Sequence, residues 1–256
     1  MINNHQQNIL AYDKKAAHYD DTYDGKFTEN FKTLLVEIVK LQDDDSVLDV
    51  ACGSGKLLAM LQDKAKIKGF GTDISPQMVK HAAKRYPQFH FQAASCEALP
   101  VANTSMDIIT VCSAYHHFPD VRAFAREAGR VLKLGGSLFI AEVSLPGGLR
   151  HLANLLLPLS KEGDVKFYSA KEIVQDFAPF GFALQHVHKQ KHIQIVHLKL
   201  CSPHCSGTHC YNFNAKGDCN MNERTCTNPL CKCENCTCDP CLCNGETHCE
   251  CPCCGE

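Results

Sequence analysis

The sequence lacks a marked excess of charge of either sign and lacks any long apolar run. It has 26 Lys and Arg against 28 Asp and Glu, a formal net charge of −2, which argues against a general attraction to nucleic acid or to an anionic membrane. No apolar segment reaches the ~18–20 residues that a membrane-spanning helix needs. Residues 1–15 contain no basic segment followed by an apolar core, so they do not predict a secretory signal. We therefore expect a cytoplasmic protein with no nucleic-acid or membrane partner.

Cysteine is scarce in most of the chain and concentrated at its end. Residues 1–200 contain only Cys52, Cys96 and Cys112, whereas residues 201–256 contain fifteen cysteines. The terminal segment has too few large apolar residues to bury a hydrophobic core. Small cysteine-dense domains are held together by disulfides or metals instead. The sequence therefore predicts two domains, one over 1–200 and one over 201–256.

Short apolar runs alternate with helical patterns through most of the first domain. The runs that predict strands are 46–51, 66–73, 89–94, 106–112 and 135–143. Ser75 and Ser169 are predicted to cap helices, and two strand-like runs after residue 181 lie close enough in sequence to form a hairpin. Alternating strands and helices predict a parallel sheet between two helical layers. We expect an α/β three-layer sandwich whose seven-stranded, mostly parallel sheet ends in an antiparallel hairpin.

A glycine-rich turn follows the first predicted strand, in VLDVACGSGKL at 47–57. Asp73 ends the next strand, 20 residues after Gly53. At that spacing a carboxylate can reach the ribose hydroxyls of a nucleoside bound at the strand ends. A dinucleotide usually requires a third glycine where Leu58 stands, and Asp49 is unfavourable beside a pyrophosphate. A cationic ligand without phosphate, such as S-adenosylmethionine, suits the turn better.

The turn and four later segments resemble class I S-adenosylmethionine-dependent methyltransferases. The later segments are GTDIS (71–75), AASCEALP (93–100), MDIITVCSAYHHF (106–118) and REAGRVLKLGGSLFIAE (126–142). Residues 11–21, AYDKKAAHYDD, are similar to the segment that closes over the cofactor in that family. The resemblance is nearest to the small-molecule branch that includes quinone-biosynthesis enzymes. It implies a Rossmann-like fold, S-adenosylmethionine as cofactor and a small-molecule methyl acceptor.

The resemblance also implies a set of cofactor-binding residues. Asp49, Ala51, Gly53 and Gly55 would line the methionine end, and Cys52 of the same turn would also contact the cofactor. Asp73 would bind the ribose, Ile74, Ser95, Cys96 and Glu97 would lie at the adenine, and Cys112 and Ser113 would lie beneath the cofactor. The family often has Asp where Ser95 stands, and a serine hydroxyl is a weaker acceptor for the adenine amino group.

Three residues are candidates for catalysis. His116 and His117 follow the fourth strand, where methyl acceptors bind in the family, and either could move a proton. Tyr19 is a candidate contact from the closing segment. The cysteines at 52, 96 and 112 could together bind trivalent arsenic, but the favoured interpretation is that they are small apolar side chains beside a tight turn.

The terminal segment has the spacing of a thiolate cluster. Its run CKCENCTCDPCLC at 231–243 repeats Cys-x-Cys, a spacing that does not suit disulfides, and the cytosol keeps thiols reduced. Soft ions such as Zn²⁺, Cd²⁺ or Cu⁺ are the natural partners, and 231–254 resembles a metallothionein. The predicted ligands are Cys201, Cys205, Cys210, Cys219, Cys226, Cys231, Cys233, Cys236, Cys238, Cys241, Cys243, His248, Cys249, Cys251, Cys253 and Cys254. A nucleic-acid-binding zinc domain is disfavoured because this segment has only three basic residues.

Three functions remain open from the sequence. In the first, the chain methylates a small organic molecule and its terminal domain binds soft metal ions. In the second, it methylates a metalloid such as arsenite that the terminal domain handles. In the third, which is not enzymatic, the chain sequesters metal and its first domain only binds the cofactor.

Overall fold

The computed structural model describes residues 4–157 and 164–201. The predicted metal ligands therefore lie outside the described residues, with the exception of Cys201. The helices are α1 Asn4–Lys15, α2 Tyr23–Ile38, α3 Lys56–Gln62, α4 Pro76–Arg85, α5 Val121–Val131, α6 Gly147–Leu156 and α7 Ala170–Phe177. Short 3-10 helices cover Ala16–Asp21, Tyr115–His117 and Ala178–Phe180. The strands are β1 Ser46–Val50, β2 Lys68–Asp73, β3 His90–Ala93, β4 Met106–Cys112, β5 Leu132–Val143, β6 Phe182–Gln190 and β7 Ile193–Leu200.

The strands form one sheet in the order β3-β2-β1-β4-β5-β7-β6. The first five strands are parallel to one another, while β7 runs antiparallel to both β5 and β6. This confirms the predicted seven-stranded sheet and its terminal hairpin. The chain reverses its winding direction between β1 and β4, and such a switch point opens a crevice at the carboxyl ends of the strands.

Apolar side chains cover both faces of the sheet. Successive strand residues point to opposite faces, so Val47 joins one core with α2 and α3 while Leu48 joins the other with α5 and α7. Burial on both faces explains why these strands read as continuous apolar runs rather than as alternating patterns. Among the described residues, the longest helices are too short or too polar to cross a membrane.

Two helix starts agree with their predicted caps. The Ser75 hydroxyl accepts a hydrogen bond from the Met78 amide at 3.0 Å, directly before Pro76 at the start of α4. Ser169 and Glu172 form a reciprocal capping box at the start of α7. Such caps satisfy amide groups that have no partner within the helix.

Candidate functional site

A cleft of about 740 Å³ opens at the carboxyl ends of the central strands, at the switch point between β1 and β4. The lining residues are Asn8, Tyr12, Tyr19, Val50, Ala51, Gly53, Asp73, Ile74, Ala94, Ser95, Cys96, Cys112, Ser113, Ala114, His117, Phe118 and Pro119. They come from the ends of four neighbouring strands, from the residues after β4, and from the first helices of the chain, which cover the cleft.

The glycine turn after β1 exposes its backbone to the cleft. Gly53 has a φ of 52°, and a Cβ built there would meet only the Tyr19 ring, at 3.7 Å. Gly55, by contrast, faces the packed interior, because a Cβ there would lie 2.8 Å from the Phe91 ring. The turn therefore uses one glycine for ligand access and the other for close packing.

Two residues other than glycine adopt left-handed backbone conformations at the floor of the cleft. Ala51 follows β1 with a φ of 58°, and Ser113 follows β4 with a φ of 51°. Such conformations cost free energy and persist where surrounding structure imposes them, often at functional sites. Both residues line the cleft, so the strain is located where a ligand would bind.

Asp73 joins β2 to the glycine turn. Its Oδ2 accepts a hydrogen bond from the Gly53 amide at 2.8 Å, and its Oδ1 accepts one from the Ser75 amide at 2.9 Å. Burial raises the pKa of Asp73 to about 6, although both amides favour the ionised form. The carboxylate is thus fixed in orientation and already partly desolvated.

Asp49 lies beside the cleft but does not line it. It is 2% exposed, and its Oδ1 accepts a hydrogen bond from the Thr110 hydroxyl at 2.8 Å. Burial raises its pKa to about 7, which the Thr110 hydroxyl and the positive charge of Lys32 oppose. The pKa of Asp49 is therefore close to physiological pH, and the residue lies one position before the lining residue Val50.

The N-terminal helices cover the cleft and are tied to it by polar contacts. The Ser75 hydroxyl donates to Asp13 on α1 at 2.5 Å, and the Ser54 hydroxyl donates to Asp20 at 2.8 Å. Asp20 also pairs with Arg85. Tyr19 lines the cleft, and burial raises the pKa of its phenol far above the ordinary value. Tyr19 is therefore a neutral contact rather than a base.

His117 is the imidazole at the wall of the cleft. Its Nε2 lies 3.0 Å from the Tyr12 hydroxyl, and its Nδ1 lies 3.1 Å from Oδ1 of Asp164. His116 lies behind it and does not line the cleft, because its Nδ1 lies 3.0 Å from both carboxylate oxygens of Glu142. The structure thus separates the two histidines: one faces the cleft, and the other is buried against an acid of β5.

The three cysteines of the first domain do not converge on one point. In the described part of the chain, the only group of three or more metal-binding side chains whose ligand atoms come together is His116, His117 and Asp164. Cys96 and Cys112 line the cleft, where burial raises the pKa of each thiol to about 12. Cys52 is buried beside Gly71, outside the cleft. All three are neutral thiols at pH 7, as expected for small apolar side chains.

Most of the cofactor residues predicted from the sequence lie at the cleft. Those that line it are Ala51, Gly53, Asp73, Ile74, Ser95, Cys96, Cys112 and Ser113, whereas Asp49, Cys52, Gly55 and Glu97 do not. The Ser95 hydroxyl accepts a hydrogen bond from the Glu97 amide at 3.2 Å, so this pair forms a local turn at the cleft rim.

Sequence reasoning missed four polar residues of the site. Asn8 and Tyr12 lie on α1, which the sequence pattern did not predict as a helix. Glu142 carried a signal, since it is an acid within an apolar strand and is 1% exposed. Asp164 carried none, because it lies outside every motif and element that the sequence predicts.

Part of the chain is similar in sequence to known proteins. Residues 48–140 match the family model described as a methyltransferase domain. A demethylmenaquinone methyltransferase from Chlorobaculum parvum is 33% identical over 108 residues, which are 42% of this chain and 45% of the relative. The counterpart from Thermotoga maritima is 35% identical, over 47% of this chain and 53% of the relative. The chain thus spans about half the length of these curated relatives.

Other relatives match over more of their length. The uncharacterized methyltransferase YcgJ of Bacillus subtilis is 27% identical over 82% of this chain and 92% of its own. Its crystal structure superposes with a TM-score of 0.58 at 28% identity, over 63% of this chain and 71% of its own. A SAM-dependent methyltransferase from Aquifex aeolicus shares the fold, with a TM-score of 0.57 at 19% identity over 73% of this chain and 98% of its own. Residues 48–140 are thus similar to a methyltransferase domain, and the strand order and the glycine turn agree with the fold of these relatives.

Proposed function

We propose that this chain transfers a methyl group from S-adenosylmethionine to a small-molecule acceptor in the cleft. The proposal rests on one observation, which is that two sets of residues line different walls of the same cleft. Asp73 and the exposed Gly53 backbone lie on one wall, and His117 with Tyr12 lies on another. The first set suits a nucleoside, and the second set suits an acceptor that must lose a proton.

The residues present fit S-adenosylmethionine better than a dinucleotide. No Lys or Arg is among the described residues that line the cleft, so a pyrophosphate would find no cationic side chain. The Gly53 backbone leaves room for close approach of a ligand, and the Asp73 carboxylate can accept hydrogen bonds from ribose hydroxyls. Asp49 and Asp73 give this side of the cleft a negative character that suits a cationic ligand.

The chemistry follows from what the residues can do. When bound, S-adenosylmethionine supplies an activated methyl group on a positively charged sulfur. The protein then mainly aligns the acceptor and excludes water, and the cover formed by α1 and Ala16–Asp21 does the latter. His117 can take a proton from the acceptor, and Asp164 orients its ring through Nδ1. In this arrangement Nδ1 carries the proton and Nε2 accepts the Tyr12 hydroxyl, an assignment made from these partners.

The acceptor proposed here is an aromatic molecule with an ionisable hydroxyl. The acceptor side of the cleft is apolar and aromatic, with Tyr12, Phe118 and Pro119 around His117. Curated relatives named as demethylmenaquinone methyltransferases point to the same class of compound. A reduced quinone has a hydroxyl that a base can deprotonate, which makes its ring carbon more nucleophilic.

The direct test is methyl transfer from labelled S-adenosylmethionine to reduced demethylmenaquinone, run in parallel with arsenite plus a reducing thiol. We expect to find the labelled methyl group only in the quinone fraction. Label in methylated arsenic alone would replace the proposal with metalloid chemistry, which nothing in the described residues favours, since Cys52, Cys96 and Cys112 do not converge. Cofactor binding without transfer to either acceptor would support the non-enzymatic alternative.

The terminal domain remains a proposal that rests on the sequence alone. We propose that residues 201–256 bind Zn²⁺, Cd²⁺ or Cu⁺ through their cysteines, because repeated Cys-x-Cys favours shared thiolate ligation. Metal analysis of the purified full chain by mass spectrometry under native conditions tests it. Several ions per chain are expected, and a metal-free chain after growth in zinc would refute the idea.

Replacing His117 by glutamine should slow methyl transfer while leaving cofactor binding intact. The imidazole faces the acceptor side of the cleft, and general acid–base groups typically contribute about 100-fold or more to a rate. We expect kcat to fall about 100-fold and the Kd for S-adenosylmethionine to stay within about twofold. His186→Gln, at an exposed position of β6, is the matched control and should change neither value. An unchanged kcat in His117→Gln would remove the base from this mechanism.

The affinity for S-adenosylmethionine should fall as the pH is lowered from 7.5 to 5.5. Burial holds the pKa of Asp49 at about 7 and that of Asp73 at about 6 in the free protein. Because the cofactor favours both ionised carboxylates, its binding releases protons, and below each pKa the affinity falls by up to about tenfold per pH unit and group. Calorimetric titrations in two buffers at each pH measure both quantities. The Asp49→Asn variant should lose the part of the dependence near pH 7, and a flat profile in the wild type would contradict the assignment.

A further inference from the structure

We propose that His116, His117 and Asp164 form a binding site for one divalent transition-metal ion. Two of the side chains come from the 3-10 helix Tyr115–His117, and the third is Asp164, directly before Val165. The amides of Val165 and Lys166 both donate to the His116 carbonyl, at 2.8 and 3.2 Å, and so hold the two segments together. The ligands are therefore placed by the backbone rather than by the side chains alone.

Two of the distances between the ligand atoms are close to those around a shared ion. Oδ1 of Asp164 lies 3.1 Å from Nδ1 of His117 and 3.6 Å from Nε2 of His116, and all three atoms lie within 4.8 Å of one another. The longer distance exceeds that of a hydrogen bond. A tetrahedral ion with ligands at about 2.1 Å separates them by about 3.4 Å. Small movements of these side chains would complete the coordination.

The surroundings also have the form of a metal site. Metal-binding histidines usually donate their other ring nitrogen to a carboxylate or another acceptor, which fixes the tautomer. Here Nδ1 of His116 lies 3.0 Å from both oxygens of Glu142, and Nε2 of His117 lies 3.0 Å from the Tyr12 hydroxyl. The buried Glu142 and the nearby Asp164 also bring negative charge, which a dication would balance. Two imidazoles and one carboxylate suit first-row divalent ions.

An ion at this site would change the role of His117. Ligation uses the lone pair of Nδ1, so Nε2 then carries the proton and donates to the Tyr12 oxygen. His117 could no longer accept a proton from an acceptor. This consequence depends on the proposed function, whereas the site itself does not, and binding of the ion is measurable without turnover.

The test is titration of the full chain with Co²⁺ followed by absorption spectroscopy. Cobalt held by nitrogen and oxygen gives weak visible bands, whereas cobalt held by thiolates adds intense sulfur charge-transfer bands, so this site is distinguished from the cysteine-rich segment. We expect one equivalent of Co²⁺ with nitrogen and oxygen ligands. Its affinity should fall at least about tenfold in Asp164→Asn and in His116→Gln and stay unchanged in the control His186→Gln.

Two observations would overturn the proposal. One is the absence of the nitrogen–oxygen spectrum in the wild type, and the other is its persistence in Asp164→Asn. Thermal melting and S-adenosylmethionine binding of each variant establish that it is folded. If the variants fail to fold, anomalous diffraction from Co²⁺-soaked crystals of the wild-type chain decides: a peak between the three side chains supports the site, and none there refutes it.

Discussion

Replacing Asp73 by asparagine is expected to weaken S-adenosylmethionine binding by about 100-fold. The carboxylate accepts hydrogen bonds from the Gly53 and Ser75 amides and also lines the cleft. An asparagine side chain would place an NH₂ group opposite one of these amides, which disturbs the glycine turn as well as removing the acceptor for ribose. Loss of a charge-assisted hydrogen bond costs about 1.5–3 kcal/mol, and 2.8 kcal/mol corresponds to about 100-fold in Kd.

Equilibrium binding measured by calorimetry checks this expectation. Asp63→Asn is the matched control, because Asp63 is exposed at the end of α3. This variant should bind S-adenosylmethionine as tightly as the wild type does. A thermal melt of Asp73→Asn close to that of the wild type would assign the loss to the site rather than to unfolding. A Kd within threefold of the wild type would show that the cofactor does not use this carboxylate.

Replacing Gly25 by alanine is expected to destabilise the fold by about 3 kcal/mol and to displace the cover of the cleft. A Cβ at Gly25 would lie 2.0 Å from the carbonyl oxygen of Tyr19, which is backbone and has no room to rotate away. The first turn of α2 would have to move away from the 3-10 helix Ala16–Asp21, at a cost similar to that of overpacking. Because Tyr19 lines the cleft, cofactor affinity should fall as well.

Urea unfolding and hydrogen exchange measure the two parts of this effect. Faster exchange confined to residues 12–25 is expected, since the sheet does not depend on this contact. Gly147→Ala is the matched control: it lies at the start of α6, and a Cβ there would meet nothing within 4 Å. Equal stability of Gly25→Ala and Gly147→Ala would show that α2 and the 3-10 helix are not packed as described.

The sheet and the glycine turn could be predicted because their signals are local. The alternation of strands and helices, the Gly53 turn and the acid at the end of β2 each depend on short-range geometry, and the structure agrees with the predicted architecture. The helix α1 was missed because its amphipathic pattern is weak and it is stabilised largely by contacts of Asp13 and other residues with the rest of the fold.

The side chains around His117 depend on long-range placement and could not be predicted. Asp164 reaches it from a segment 47 positions later in the chain, and Tyr12 from 105 positions earlier. The HHF pattern made both histidines candidates for moving a proton of the acceptor. The structure divides them because the second residue of the short helix faces Glu142 and the third faces the cleft. A one-residue step along a 3-10 helix changes the direction of the side chain by about a third of a turn.

The antiparallel course of β7 determines which later cysteines can reach the cleft. Because β7 pairs Ile193 with Val143 and Lys199 with Ser137, Cys201 follows the end of β7 that lies away from the cleft. Eight residues of antiparallel strand span about 27 Å, and a fully extended chain covers at most about 3.6 Å per residue. The four residues from Cys201 to Cys205 are therefore too short, even fully extended, for Cys205 to reach the cleft. The chain that leads to the run from Cys231 to Cys254 is long enough. An ion held by the proposed terminal domain could therefore reach the cleft only through thiolates further along the chain than Cys205.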